Sequence, residues 1–462
     1  MSDLASLDLS SPQRVHVVWV GGKAMSAIAE ILVAMGHDVS GSDPNDVPVL
    51  ERLRSLGVSV AVGSDTSLPT DVDLVVRSSG VSDDHAEVAA ARSRNIPVLE
   101  RPEVQGAIAR TRRTIAVSGT HGKTSTTAML VHVLDELGAD PSYIVGGDIS
   151  HRAGGVRWGS GEWFVVEADE SDGTFLELGA ERVVVTNVEA DHLDRYGTLD
   201  AIAEAFDVFV ARSDRALVGA DDPIAASIGQ RHGARTFGLS DSADVQIVDL
   251  EVDRATTRFS LVVDGADPVA VVVPEPGRHN ALNAAAALAA AVDTGVSWPA
   301  AAAALASYEG VGRRFETRAE VGGITIVDDY AHNPGKVRAV VEAAARGGWG
   351  RVVVVFQPHR YSRTADLWQE FAGSFDGADL VVVTELDPAG EPHRPGVSGH
   401  LVVDALVAAR PDAVVDWVPE RDALARHVAG VLEPGDLCLT LGAGDITSLA
   451  DALVPLLEAR RP

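Results

Sequence analysis

Residues 115–125 read Ile-Ala-Val-Ser-Gly-Thr-His-Gly-Lys-Thr-Ser, an apolar strand that runs into a glycine loop and then into a helix. That order calls for a parallel α/β sheet, with the loop at the C-terminal edge of a strand. The chemistry is as narrow as the geometry. Glycines let backbone N–H groups wrap phosphate oxygens, and a helix N-terminus favours anions. A lysine offsets β/γ-phosphate charge, and a threonine hydroxyl ligates Mg²⁺. The candidate phosphate contacts are Gly119, Thr120, His121, Gly122, Lys123, Thr124 and Ser125. The loop departs from the Walker pattern, which needs a glycine six residues before the lysine, where Val117 stands.

The rest of the chain keeps the same alternation. Strands are expected at Val15–Val20, Asp38–Ser42 and Leu74–Arg77, with a helix over Ala24–Met35. A new strand, Thr114–Val117, follows Arg110, Arg112 and Arg113, and further strands are expected at Trp163–Val166 and Val183–Thr186. Val245–Val273 reads as antiparallel β-structure. The Ala-rich run Ala281–Ala304 is broken by Asp293, Thr294, Gly295 and Pro299, so it reads as two helices. Strands return at Ile324–Val327, Val352–Phe356, Leu380–Val383 and Leu437–Leu441. A chain of 462 residues exceeds one core and fits about three domains. We place them at 1–112, 113–315 and 316–462.

Composition removes several function classes. The net charge of −29 argues against long nucleic acid, which asks for a basic face. It leaves small anionic ligands open, because local cations decide those. There are three lysines, Lys23, Lys123 and Lys336. The one cysteine, Cys438, sits in an apolar run and reads as a core residue; with no disulfide available, a reducing cytoplasm is expected. Met1–Pro12 lacks the pattern of a signal peptide, and no run of about 18 apolar residues suggests membrane insertion.

Carboxylates gather after two central strands, in Glu167-Ala-Asp-Glu-Ser-Asp172 and in Glu189-Ala-Asp-His-Leu-Asp194. Mg²⁺ prefers few oxygen ligands, so two acidic loops beside one phosphate loop suggest a magnesium site. Gly277-Arg-His-Asn-Ala-Leu-Asn283 opens a helix; Asn280 and His279 suit either an adenine contact or a helix-cap cluster. Arg313 and Arg314 sit at the second boundary, as a γ-phosphate contact or as an exposed hinge pair. Asp328-Asp-Tyr-Ala-His332 and Phe356-Gln-Pro-His-Arg-Tyr-Ser-Arg363 each follow a strand, and the second is a local basic patch suited to a carboxylate.

Taken in this order, and with Gly-Arg-Arg-Phe315 and Leu441-Gly-Ala-Gly-Asp-Ile446, these motifs resemble the Mur ligases over roughly Val15 to Leu456. Within them they resemble the branch that adds L-alanine to the lactyl carboxylate of UDP-N-acetylmuramate. The resemblance implies a Rossmann-like N-terminal domain for the UDP-sugar and a central P-loop-type ATPase domain. It also implies a Rossmann-like C-terminal domain that closes over the site. The implied reactants are ATP, Mg²⁺, UDP-N-acetylmuramate and L-alanine, in a monomer or homodimer. Lys123 and Thr124 would hold phosphate and metal, with Glu167 and His192 as further metal ligands. Asn280, His279, Asp329 and Arg314 would serve the nucleotide. Tyr330, His332, Arg360 and Arg363 would line the amino-acid and carboxylate site; Lys123, His192, Arg314 and His332 are the catalytic candidates. Gly21, Gly22, Asp43, Ser78 and Ser79 would contact the UDP-sugar. Some Mur ligases carry a carbamylated central-domain lysine, which this chain lacks, since Lys123 stands alone there.

The first loop departs from the family's Gly-Ile-Gly-Gly-Ala-Gly-Met-Ser and reads Trp19-Val-Gly-Gly-Lys-Ala-Met-Ser26. Trp19 either crowds the diphosphate cradle or is compensated by the added charge of Lys23. Asn333 replaces a histidine common in the family. Three other readings compete: a ligase that recycles a preformed tripeptide, a non-catalytic ATP-binding homologue, and a nicotinamide dehydrogenase suggested by Gly21-Gly22.

Overall fold

The computed structural model describes residues 8–64, 66–78, 80–149, 154–171 and 173–460. Its strands form three sheets. The first holds β1 (Arg14–Val18), β2 (Asp38–Asp43), β3 (Ser59–Val62), β4 (Leu74–Arg77) and β5 (Val98–Glu100), in the order β3-β2-β1-β4-β5. All four pairings are parallel. The order reverses between β1 and β4, the switch point at which open α/β sheets bind ligands. The sequence expectation for the first strand runs two residues too far. β1 stops at Val18, because Trp19 turns into left-handed backbone at φ +59°.

The second sheet contains β6 (Arg113–Ser118), β7 (Ser142–Ile144), β8 (Val156–Arg157), β9 (Trp163–Glu167) and β10 (Arg182–Val185). It continues with β11 (Arg215–Gly219), β12 (Arg235–Gly238), β13 (Val245–Val252), β14 (Thr257–Val263) and β15 (Val269–Val273). β6 lies in its interior, parallel to β9 on one side and β10 on the other. Ile115, Ala116 and Val117 are fully buried there, as a strand covered on both faces must be. β13, β14 and β15 are successive neighbours in the sheet. Their short connections suit antiparallel pairing, since a parallel crossover needs a dozen residues or more. The Ala-rich run forms two helices, Arg278–Asp293 and Trp298–Leu305.

The third sheet is β16 (Glu316–Val321), β17 (Ile324–Asp329), β18 (Val352–Phe356), β19 (Leu380–Val383), β20 (Val415–Trp417) and β21 (Leu437–Leu441). Its order is β16-β17-β21-β18-β19-β20, antiparallel at β16–β17 and parallel beyond. Helices cover both faces, over cores built on Val354, Phe356, Leu439 and Phe375 on one side and Ile326, Val353, Leu424 and Cys438 on the other. Cys438 is buried, and burial pushes its thiol up to about 12. The chain divides into two compact units, 1–247 with 262–269 and 282–305, and 248–261 with 270–281 and 306–462. Among the described residues no helix is long and apolar enough to cross a membrane.

Candidate functional site

In the first unit the phosphate loop leaves β6 at Gly119, whose φ is +132°. Gly122, at φ +83°, caps the helix Lys123–Glu136. A Cβ on Gly119 would stand 2.0 Å from Thr186 Oγ1, and one on Gly122 would stand 2.3 Å from Asn283 Oδ1. The segment after β10 latches the loop. Asn187 Oδ1 accepts from the His121 N–H (2.9 Å), Thr120 Oγ1 accepts from the Glu189 N–H (2.8 Å), and the Thr186 hydroxyl donates to His121 O (2.5 Å). Ser125 is buried in the first turn of the helix.

Lys123 Nζ donates to Gly119 O (2.6 Å) and to Glu170 Oε1 (2.8 Å). Burial opposes its charge, but Glu170, Asp169 and Glu167 outweigh burial and raise its pKa. Asp169 mirrors this: burial pushes it up, and Lys123 with the Ser171 N–H brings it below the ordinary carboxylate value. The Thr124 hydroxyl donates to Glu167 Oε1 at 2.9 Å, so two of the expected metal ligands stand together. His192, at φ +55°, stands instead against Glu170, with Nε2 3.9 Å from Oε1. Glu170 Oε2 is buried and unpartnered among the described residues. No group of three metal-binding His, Cys, Asp or Glu side chains occurs among them. The hard oxygen donors Thr124, Glu167 and Glu170, one with an unsatisfied buried oxygen, nevertheless suit a hard divalent cation completed by water and phosphate.

The same unit holds the loop after β1. The Gly21 N–H donates to Asp43 Oδ2 at 2.8 Å, and a Cβ on Gly21 would meet that oxygen at 2.7 Å. Gly22 caps the helix Lys23–Ala34. Ser78 closes the turn after β4, its carbonyl accepting from the Val81 N–H at 3.0 Å. Ser79 and Asp172 lie outside the described residues. The Trp19 ring packs edge-on to His85, 6.3 Å between centroids. A cavity of about 420 Å³ is lined by Lys23, Arg52, Arg101, Gln105, Glu167 and Asp169 among others.

The second unit gathers the remaining candidates. Asn280 is the third residue of its helix, not the cap, and its side chain donates to Pro276 O at 3.0 Å. His279 is driven down to about 4 by burial and then by Arg314. Asp329 accepts from the Phe315 N–H (2.8 Å) and the Ala331 N–H (2.7 Å), and burial raises its pKa against the pull of Arg314. Glu275, pushed up to about 8 by burial and then by Asp329, and Tyr308, raised by burial and by Glu275, complete this cluster. Sequence reasoning missed both. Each stands alone in its segment: Glu275 just beyond the strand Val269–Val273, Tyr308 just beyond the helix Trp298–Leu305.

Arg313 is a structural partner rather than a free hinge residue. It pairs with buried Asp328 at 3.1 Å and donates to Gly442 O at 2.6 Å. Both Arg313 and Arg314 stack over the Tyr330 ring, at 5.0 and 5.5 Å. His332 Nδ1 meets Tyr330 O at 2.7 Å, which leaves Nε2 as the acceptor of a neutral ring. Burial, then Lys336 and Arg363, hold His332 well below its ordinary pKa. His359, within the basic segment but not singled out in it, stands between His332 (5.7 Å between ring centroids) and the Arg363 guanidinium (3.3 Å). Arg360, at φ +71°, turns the chain into the helix Tyr361–Leu367.

Models of three Mur ligase domains match the chain: the family's catalytic domain over 14–113, its middle domain over 117–291 and its glutamate ligase domain over 313–444. The UDP-N-acetylmuramate–L-alanine ligase of Thermobifida fusca is 43% identical over 459 residues, covering 96% of each chain. The chain belongs to the Mur ligase family. The Geobacter sulfurreducens enzyme of the same name is 40% identical, covering 97% of this chain and 98% of that one. Among solved structures, the UDP-N-acetylmuramate–alanine ligase of Thermotoga maritima superposes with a TM-score of 0.78 at 29% identity, over 97% of this chain and all of that one. A murein peptide ligase from Psychrobacter arcticus shares the three-domain Mur ligase fold at a TM-score of 0.67 and 24% identity.

Proposed function

We propose that this Mur ligase joins L-alanine to the lactyl carboxylate of UDP-N-acetylmuramate, with ATP converted to ADP and phosphate. The observation that carries the reading is Lys123, part-buried and held between the phosphate loop and Glu170, in a chain 43% identical to a ligase of that name. The domain division at 1–112, 113–315 and 316–462 is part of the proposal.

The reaction brings two anions together. A carboxylate oxygen attacks the γ-phosphorus, the bond to the β-phosphate oxygen breaks, and an acyl phosphate forms as ADP leaves. The alanine amine then attacks the acyl carbon, phosphate leaves, and the amine gives up a proton. The barrier to the first step is charge repulsion, and a fixed cation lowers it. Lys123 supplies that charge, and its carboxylate neighbours keep it protonated. Thr124, Glu167, Glu170 and His192 would hold Mg²⁺, which when bound neutralises phosphate oxygens. Arg314 would meet the nucleotide phosphates, and Asn280, His279 and Asp329 would flank its base and sugar. Arg360 and Arg363 offer guanidinium groups to carboxylates. His332, kept neutral with Nε2 open, accepts a hydrogen bond from the incoming amine.

Phosphate release with ATP, Mg²⁺ and UDP-N-acetylmuramate, with and without L-alanine, tests the reading. Release should need L-alanine, and Lys123→Ala should lower it at least about a hundredfold, the scale of losing one preorganised transition-state charge contact. Turnover with a tripeptide but not with L-alanine would sink it.

A further inference from the structure

Lys23 opens the helix Lys23–Ala34, and its ammonium reaches away from that segment to donate to Gly146 O at 2.5 Å. Gly146 is engaged on its other side as well: its N–H donates to Glu167 Oε2 at 2.5 Å. The opposite oxygen of that carboxylate accepts the Thr124 hydroxyl at 2.9 Å. Lys23, Gly146, Glu167 and Thr124 thus form one unbroken chain of hydrogen bonds from the loop after β1 to the phosphate loop. Lys23, Gly146 and Glu167 also line the same cavity. The approach at its middle is close: a Cβ on Gly146 would stand 2.7 Å from Glu167 Oε2.

We propose that Lys23 is a positioning residue, which fixes Gly146 and through it sets the Glu167 carboxylate against Thr124. Glycine has the freest backbone of any residue. A peptide N–H that must aim a carboxylate from a glycine therefore needs an outside anchor. An ammonium on the glycine's own carbonyl is a charge-assisted one. The loop that would receive the UDP-sugar is in this way tied to the side chain that would hold the cation. The proposal rests on the reading of Thr124 and Glu167 as cation-holding.

The experiment is calorimetric titration of the purified full chain with ADP, once with Mg²⁺ and once with EDTA. Lys23→Met should weaken binding in Mg²⁺ about five- to tenfold and leave binding in EDTA within twofold. Lys23→Arg, which keeps a donor of similar reach, should recover most of the loss. Gly146→Ala pushes Glu167 aside directly and should show the same metal-selective loss. The double variant should be no worse than Gly146→Ala alone, because both changes act through one carboxylate. Unchanged Mg·ADP binding in Lys23→Met, an equal loss with and without metal, or effects that multiply would each overturn the proposal. ADP binding by the unaltered protein that ignores Mg²⁺ would overturn it too. Binding in EDTA doubles as a check that each variant folds; if Gly146→Ala does not, the Lys23 pair decides alone. No step needs turnover, so a protein that binds Mg·ADP but adds no alanine would defeat the proposed reaction and leave this inference standing on its own result.

Discussion

Gly119 and Glu275 show two ways in which a single residue governs the site. At Gly119 the constraint is steric, since left-handed backbone and the nearby Thr186 hydroxyl both forbid a side chain. Gly119→Ala should cost at least about 2 kcal/mol in urea unfolding, the sum of backbone strain and a displaced neighbour, and should abolish ADP binding. At Glu275 the constraint is electrostatic. Its folded pKa is about 8 against an ordinary 4.5. Below 4.5 both states are protonated; between the two values the unfolded chain releases a proton that the folded one keeps, so stability falls, and above about 8 the loss is complete. His279 works in a lower window, where stability rises with pH from about 4 to 6.5. Melting temperatures between about pH 6.5 and 8 should therefore decline, and Glu275→Gln should flatten the decline; a variant as steep as the parent would refute the assignment. Trp19 accepts left-handed backbone at a cost of roughly 1–2 kcal/mol, and its ring packs on His85, a contact its position in the motif could not reveal.

At the scale of elements, caps and strand ends decide where each functional side chain sits. The Thr198 hydroxyl accepts from the Ala201 N–H at 3.2 Å and starts the helix Leu199–Ala211. Thr198→Ala should cost about 1 kcal/mol in urea unfolding and leave ADP affinity unchanged. Asn333 caps a helix in the same way. Its side chain accepts from the Lys336 N–H at 2.9 Å and starts Pro334–Arg346. A short polar residue suits that position. Asn280 went the other way. Its sequence context allowed a cap, but the helix begins two residues earlier and its amide turns back to Pro276. The period of apolar residues located the strands around Ile115, Val354 and Leu439 because a strand buried on both faces must be continuously apolar.

The whole molecule carries a net charge of −29, and much of it must repel itself in the folded state. Raising NaCl from about 10 to 200 mM shortens the screening length from about 30 Å to less than 10 Å. The melting temperature should rise by a few degrees, and a fall would mean that specific ion pairs such as Arg113–Glu181 outweigh the bulk repulsion. What the sequence determined by itself was local: the phosphate loop, the strand and helix alternation, the split of the Ala-rich run, and the acidic and basic clusters at strand ends. These follow from glycine conformation, apolar period and charge within a dozen residues, all readable in order. The tertiary structure decided what those ends meet. That Lys123 is clasped by Glu170, that Lys23 reaches Gly146, and that Glu275 becomes a buried carboxyl near Asp329 and Arg314 all depend on contacts between distant segments. Such contacts are set by strand order, with β9 and β10 either side of β6, and chain order alone does not contain that neighbourhood.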